Sequence, residues 1–151
     1  VEGYLDAISL HAAGIDNAVA VLGTALTPEQ SKLLARYARR VVLCLDGDEA
    51  GRRATTRSIP VLLAEGHEVR VLALPQGVDP DDHVRRAGGE AVRRQAETAG
   101  SFLEFLIGVA RAQHDLASPV GRVAALNDIL PNLAAKSVFV IGALPGLRNT
   151  A

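Results

Sequence analysis

Two aspartates that follow a short apolar run are the residues of this chain best suited to do chemistry. Asp46 and Asp48 are separated by one glycine and come directly after the run Val41 to Leu45. Carboxylate oxygens are hard ligands, which favour Mg²⁺ or Mn²⁺ over Zn²⁺. An apolar run bounded by turn residues predicts a strand buried on both faces, as in parallel sheets, where ligands bind at the carboxyl ends of the strands. The pair therefore predicts a cation site at such an edge.

Other carboxylates fall at or just beyond the ends of further predicted strands, namely Glu2, Asp79 and Asp81. A parallel sheet would bring all of these groups to one edge. Two carboxylates about 4 Å apart repel by roughly 4 kcal/mol at an effective dielectric constant of 20, so the cluster needs cations or raised pKa values. Two ions about 3.5–4 Å apart would clamp the attacking and leaving oxygens of a phosphoryl transfer.

Simpler interpretations of these carboxylates remain open at this point. Asp-Gly-Asp is also a common turn, and a Pro-Asp loop explains Asp79 and Asp81 without a metal. A calcium EF-hand is excluded, because Ala50 and Arg57 occupy positions five and twelve of the would-be loop and a strand precedes it. The sequence also contains no phosphate-binding P-loop motif.

The remaining chemically active side chains have ordinary structural explanations. Cys44 is the only cysteine, which excludes a disulfide framework and a cysteine zinc site in this chain and predicts a core thiol. His83, next to the second acidic group, is expected to be a solvated loop residue. Packing in helices accounts for Tyr4 and Tyr37. The other histidines are expected on surface helices or turns: His11, His67 and His114.

Apolar spacing and turn residues predict an alternation of strands and helices. Strands are predicted over residues 17–22, 41–45 and 68–74, with a first strand cut off just before Glu2. Helices are predicted over residues 4–13, from Thr27 onwards, and over residues 49–65. This order favours a mostly parallel sheet flanked by helices, which is the α/β class.

The second helix has the clearest start signal. Thr27 is suited to the N-cap, Pro28 to the first helical position and Gln30 to the capping box, and Leu33, Leu34 and Tyr37 are expected on the buried face. Within the third helix, Pro60 is expected to kink or split the helix, because an interior proline costs about 3 kcal/mol.

After about residue 84 no further strand is predicted. Ser101 and Glu104 form a capping box before an apolar run, and Ser118-Pro119 opens a helix through Leu130. The fold class is therefore an α/β sheet domain followed by a small C-terminal helical appendage. The stretch from residue 137 to 151 matches no clear helix.

The composition of the chain limits the functions that it could have. The 151 residues carry a net charge of −1, so nucleic-acid contacts would need local basic clusters, such as Arg52 with Arg53. Solvated helix faces explain those pairs about as well. No apolar run is long enough to span a membrane and no leader is visible, so a cytoplasmic location is expected. Because the chain begins at Val1 without a methionine, a piece of a longer polypeptide is expected.

Four segments in this order and spacing closely resemble the Toprim domain of bacterial replicative primases of the DnaG type. They are Glu2-Gly-Tyr4, Leu22-Gly-Thr-Ala-Leu-Thr27, Val42-Leu-Cys-Leu-Asp-Gly-Asp-Glu-Ala-Gly51 and Leu74-Pro-Gln-Gly-Val-Asp-Pro-Asp81. The resemblance implies three parts: a Toprim catalytic domain over residues 1–90, a helical subdomain of the polymerase core over residues 91–136, and an atypical tail over residues 137–151.

The resemblance also implies an activity and a site. The activity is synthesis of short RNA primers from ribonucleoside triphosphates on single-stranded DNA, with Mg²⁺ or Mn²⁺ and beside a replicative helicase. Catalysis would fall to Glu2, Asp46 and Asp48, with Asp79 and Asp81 as further metal ligands. Nucleic-acid or nucleotide contacts are expected from Gly23, Thr24, Arg52 and Arg53.

The chain departs from the family in what it lacks. The zinc-binding domain, the basic N-terminal half of the polymerase core and the C-terminal helicase-interaction domain are missing from it, so the helicase contact is expected to lie in a domain absent here. The isolated chain is therefore expected to bind metal but to make little primer. Two alternatives stay open: a topoisomerase or nuclease of the Toprim type, and a non-catalytic module that binds DNA or protein partners.

Overall fold

The computed structural model of the chain describes residues 1–23 and 25–134. Its helices are α1 (Tyr4–Ala12), α2 (Pro28–Leu34), α3 (Glu49–Ala64), α4 (Pro80–Ala87), α5 (Gly89–Glu97), α6 (Phe102–Gln113) and α7 (Pro119–Ala134). Its strands are β1 (Arg40–Leu43), β2 (Glu68–Val71) and β3 (Gly100–Ser101). Thr24 and the tail over residues 137–151 lie outside the described residues.

The described sheet has the order β1-β2-β3. β1 and β2 are parallel with Val41 opposite Val69, and α3 connects them as predicted. β3 pairs antiparallel with β2, with Ser101 opposite Arg70. The expectation that strands end near residue 84 was therefore wrong. Because β1 lies at the edge of this sheet, Val41 and Val42 are only half-buried, so the prediction of a strand buried on both faces was also wrong.

Residues 17–22 are not a regular strand, contrary to the sequence prediction. The backbone N–H groups of Val21 and Leu22 donate to the carbonyl oxygens of Val1 and Glu2, both at 3.1 Å. Leu22 has a φ of 57°, in the left-handed region that bends the chain away from an extended path. The two short segments therefore hold each other in place beside Glu2 without forming a longer ladder.

α3 continues through Pro60 instead of ending there. The helix begins at its N-cap Asp48, and Ile59 and Leu62 on its inner face are fully buried. An interior proline removes one backbone hydrogen bond. Burying two large aliphatic side chains contributes roughly 1.5–3 kcal/mol each, which is enough to offset that loss.

The predicted start of α2 is confirmed, but its predicted buried face is not. Thr27 Oγ1 accepts a hydrogen bond from the Gln30 backbone N–H (3.2 Å), and Gln30 Oε1 accepts one from the Thr27 N–H (2.9 Å). The helix ends at Leu34, earlier than the apolar spacing indicated. Leu33 is consequently 51% exposed and Tyr37, beyond the helix, is 82% exposed.

The largest core cluster joins the sheet, α3 and the C-terminal helices. Its buried members are Leu26, Leu43, Ile59, Leu62, Leu63, Val69, Val71 and Leu106. Phe102, Phe105 and Ile129 pack against this cluster, so α6 and α7 lie directly on α3 and β2. A second cluster of Leu10, Val84 and Val92 holds α1 against α4 and α5. These two clusters fix the elements that carry the acidic residues.

Three other predictions about single residues need correction. His67, expected at the surface, is 1% exposed, and its Nε2 donates to the Ser31 carbonyl oxygen at 3.1 Å. This hydrogen bond satisfies the buried imidazole. Tyr4, expected to be packed, is 68% exposed. His83 lies within α4 rather than in a loop.

Among the described residues, no helix has the length and apolar character needed to cross a membrane.

Candidate functional site

The Asp46 to Asp48 turn lies just beyond the carboxyl end of β1, where the sequence placed it. Asp48 is the N-cap of α3, and its Oδ1 accepts a 2.7 Å hydrogen bond from the Gly51 N–H. This bond satisfies one of the free N–H groups at the helix start. Asp46 is half-buried beside it. The cap therefore fixes the turn to the start of α3.

The loop after β2 brings the second acidic group to the same turn. The Gly47 N–H donates to the Val78 carbonyl oxygen at 2.9 Å. The next residue, Asp79, is the N-cap of α4, with its Oδ1 accepting from the Asp82 N–H at 2.7 Å. Asp79 and Asp81 thus lie at a helix start rather than in an extended Pro-Asp loop.

Glu2 enters the site from the start of α1. Its backbone is held by Leu22, and the oxygen Glu2 Oε1 is buried without a hydrogen-bond partner. Four residues on, the buried Asp6 accepts a 3.0 Å hydrogen bond from the Gly3 N–H through Oδ2. A buried carboxylate oxygen without a partner is costly, so Glu2 Oε1 has the chemistry of a cation ligand.

The negative charges of these segments act together on Asp46. Burial, followed by the negative charges of Glu2, Asp6, Asp48 and Asp79, raises the pKa of Asp46 to about 6. Four carboxylates from three segments of the chain therefore act on one. Asp6 is the member that the sequence prediction missed. Its only signal was its place one helical turn beyond Glu2, which becomes informative once the direction of α1 is known.

The carboxylates lie near one another, but their side chains are not arranged around a common metal position. In the described part of the chain, no group of three or more His, Cys, Asp or Glu side chains is arranged to hold a metal ion. Asp81 is the predicted ligand that is turned elsewhere, since its Oδ1 pairs with Arg85 Nε at 2.9 Å and accepts from Ser9 Oγ. Glu2 Oε1 and the raised pKa of Asp46 are the two features that fit a hard divalent cation.

The pKa of Asp46 predicts how pH affects the metal-free protein. Because this pKa is raised above its ordinary value, Asp46 contributes stability that is present below about pH 4 and lost as the pH rises through about 6. We expect the thermal unfolding midpoint in EDTA to fall between pH 5 and pH 7, and to fall less in Asp46→Asn. Calorimetry of both proteins checks this, and identical pH dependences would contradict it. Adding Mn²⁺ should reverse the loss at pH 7.

The predicted nucleotide-contact residues fall in two places. Gly23 is exposed, with open space around it, and Thr24 lies outside the described residues. Arg52 and Arg53 lie on the first turn of α3 and both bond Glu49 at 3.2 Å. Arg52 Nη1 also donates to the Gly47 carbonyl oxygen at 3.4 Å, so this guanidinium adjoins the acidic turn.

Cys44 and His83 take no part in the acidic site. Burial raises the pKa of the Cys44 thiol to about 11, which keeps it protonated and unreactive at neutral pH. His83 Nε2 donates to Gln95 Oε1 at 2.7 Å, which ties α4 to α5. The acidic site therefore consists of carboxylate side chains, and their role as metal ligands stays a prediction.

Comparison with known proteins finds similar sequences and similar solved structures among the DNA primases. A DNA primase of Clostridium acetobutylicum is 50% identical over 107 residues, which cover 71% of this chain and 18% of that protein. The structure of Aquifex aeolicus primase (zinc binding and RNA polymerase domains) matches with a TM-score of 0.76 at 38% identity, covering 93% of this chain and 33% of that one. The DnaG primase catalytic domain bound to ssDNA matches with a TM-score of 0.73 at 38% identity, covering 89% and 44%.

The chain spans only about a fifth of the length of the curated relatives it matches first, between 18% and 23%. Residues 103–135 match the DnaB-helicase binding domain of primase. The Toprim-like family matches residues 1–84, which contain β1, β2 and every carboxylate of the acidic site. The chain therefore belongs to the Toprim-like family.

Proposed function

We propose that this chain is the metal-binding catalytic portion of a bacterial DNA primase, which joins ribonucleoside triphosphates into RNA primers on single-stranded DNA. The observation that carries this proposal is the buried, unpartnered Glu2 Oε1 at the same sheet edge as Asp46, whose pKa is raised. Its relatives named DNA primase supply the reaction class. The place of action would be the bacterial cytoplasm.

Each carboxylate has a distinct role in this proposal. Glu2, Asp46 and Asp48 would hold Mg²⁺ or Mn²⁺, as one or two ions, and Glu2 would organise the metal or act as acid and base. Asp79 lies close enough to influence Asp46 and would complete the set, whereas Asp81 would first have to leave Arg85. The bound cations would supply charge neutralisation for the transferred phosphoryl group.

The raised pKa of Asp46 also affects how this carboxyl binds a cation. Below about pH 6 a proton competes with the cation for this carboxyl, and above that pH the carboxylate is free to bind the cation. The N-caps of Asp48 and Asp79 hold one oxygen of each carboxylate in place. The residues of the chain would thus bind the cations and orient the reacting groups, and phosphoryl transfer is catalysed largely by such positioning.

Two partners follow from the comparisons. A primase domain similar to this chain has been seen bound to ssDNA, which supports a DNA template. The match of residues 103–135 points to helicase contact within this chain, whereas the sequence placed that contact in an absent domain. α7 exposes apolar side chains there that suit such a contact: Val120, Val123, Leu126 and Leu130.

A segment exchange tests the function. The corresponding segment of the Clostridium acetobutylicum primase is replaced by this chain, and primer synthesis on single-stranded DNA is measured with Mg²⁺. We expect the chimera to make primers and to bind that organism's replicative helicase, and the isolated chain to make little primer. A folded chimera that binds Mn²⁺ but makes no primer would overturn the proposal.

The alternatives give different results in the same series. Relaxation or nicking of supercoiled plasmid by the isolated chain with Mg²⁺ would favour a topoisomerase or nuclease. Full activity of a chimera carrying Asp46→Asn and Asp48→Asn would favour a non-catalytic binding module, because the carboxylates would then be dispensable.

A further inference from the structure

A groove lies beside the acidic turn and contains none of the carboxylates proposed to bind metal. It has a volume of about 440 Å³ and runs between α3 on one side and α6 and α7 on the other. Its floor is apolar and is made by Leu106, Val109, Ala110 and Ile129. Among the described residues that line it there is no aromatic ring on which a base would stack.

The α3 wall of the groove is basic. Arg53 and Arg57 are four residues apart, so they lie on one face of the helix, and Arg52 also lines the groove. Glu49 is the carboxylate on that wall, and it bonds both Arg52 and Arg53 at 3.2 Å. Arg57 is exposed, and within the described residues it makes no hydrogen bond or ion pair. Its positive charge is therefore available to a ligand.

Among the described residues of the opposite wall, Asp128 of α7 is the one acidic group. Its Oδ2 accepts a 2.6 Å hydrogen bond from His114 Nε2, which ties α7 to the end of α6. That carboxylate already has a partner, and it does not pair with the arginines across the groove. The groove thus has a basic wall and a side wall with polar groups from Gln113 and Asn127.

The groove also leads to the acidic turn. Arg52 lies in the groove wall and donates to the carbonyl oxygen of Gly47, between the two aspartates of the turn. α3 follows its N-cap Asp48, so Arg52, on the first turn of the helix, lies close to the acidic turn. An elongated anion in the groove would therefore have one end beside the proposed metal site.

We propose that this groove binds the phosphodiester backbone of the nucleic acid that passes the acidic site, with Arg57 as its free phosphate contact. The proposal rests on the proposed function and adds a binding surface to it. Charge complementarity favours a polyanion, and the described floor is aliphatic, with no side-chain hydrogen-bonding groups to read base edges. The strand is either the single-stranded template or the RNA–DNA duplex formed on it.

Charge reversal at Arg57 tests the groove. Binding of the full chain to a fluorescent single-stranded DNA and to an RNA–DNA duplex is measured by anisotropy over a series of KCl concentrations. Arg57→Glu should weaken binding about tenfold and lower the salt slope by about 0.7–0.9, the value of one phosphate contact. The probe that shows the larger loss identifies the strand in the groove.

Arg39→Glu is the matched control, because Arg39 is exposed and precedes β1, at the sheet edge opposite the acidic turn. It should change affinity less than twofold. Arg57→Gln, which removes charge without reversing it, should give an intermediate loss. Equal losses in the Arg57→Glu and Arg39→Glu proteins, or no loss in Arg57→Glu, would overturn the proposal.

Two further measurements separate this proposal from the proposed function. Arg57→Glu should bind Mn²⁺ like the wild type, since no carboxylate is changed. Normal Mn²⁺ binding with nucleic-acid affinity unaffected by Arg57→Glu would reject the groove and leave the metal site standing. If neither nucleic acid binds but an acidic peptide helix does so through Arg57, the groove is a protein-docking surface and the proposal fails.

Discussion

Replacing Asp46 by asparagine should weaken Mn²⁺ binding to the chain by at least about tenfold and reduce primer synthesis by the chimera by about 100-fold or more. A metal ion supplies several kcal/mol of charge stabilisation in phosphoryl transfer, and each 1.36 kcal/mol corresponds to a factor of about ten in rate. Asp46 is the carboxylate on which the charges of Glu2, Asp6, Asp48 and Asp79 converge. Its removal should therefore affect the site more than the removal of any other single carboxylate.

The same substitution gives a control for folding. Removing one negative charge from a group of repelling carboxylates should leave the metal-free protein at least as stable as the wild type at pH 7. Asp16→Asn is the matched control, because Asp16 is exposed and lies beyond the far end of α1. It should bind Mn²⁺ normally. Unchanged Mn²⁺ affinity and primer synthesis in Asp46→Asn would remove the metal assignment.

The position of the acidic turn could be predicted because its signals are local. An apolar run followed by Asp-Gly-Asp places both carboxylates at a strand end, and α3 follows as the connection to β2. The capping boxes at Thr27 and Ser101 are local for the same reason, and both helices begin where the cap residues indicated. Patterns that involve only a few neighbouring residues do not depend on contacts between distant parts of the chain.

The features that the sequence missed depend on contacts between distant segments. β3 has two residues, and only its pairing with β2 makes it a strand. His67 is buried because Ser31, 36 residues away, accepts its hydrogen bond. Asp6 joins the site only through the direction in which α1 leaves Glu2. Apolar spacing carries no information about such partners, since it describes one element at a time.

The basic groove shows the same limit. Arg52 and Arg53 are adjacent in the sequence, but the pair alone does not distinguish a solvated helix face from a binding surface. Their setting depends on α6 and α7, which follow much later in the chain and form the other wall. Arg57 becomes a candidate phosphate contact only because it is unpaired and lies beside that wall.

Replacing Gly47 by alanine should destabilise the chain by several kcal/mol, roughly 3–5, and abolish Mn²⁺ binding. A Cβ atom at this position would lie 1.9 Å from the carbonyl oxygen of Pro75, 2.7 Å from the Pro75 carbonyl carbon and 3.0 Å from the Leu74 carbonyl oxygen. All three are backbone atoms, so relief requires the loop before Asp79 to move away from the turn. That movement would break the Gly47 to Val78 hydrogen bond, which joins the two acidic segments.

Gly108→Ala provides the opposite result in the same experiment. Gly108 lies inside α6 with open space where its Cβ would be, so alanine should stabilise the helix by about 1 kcal/mol. Urea unfolding of both variants measures the two effects, and Mn²⁺ titration follows the site. If Gly47→Ala unfolds at the wild-type midpoint, the turn and the loop after β2 are not in contact. The close approach of their backbones then could not explain how Asp46 and Asp79 come to share one edge of the sheet.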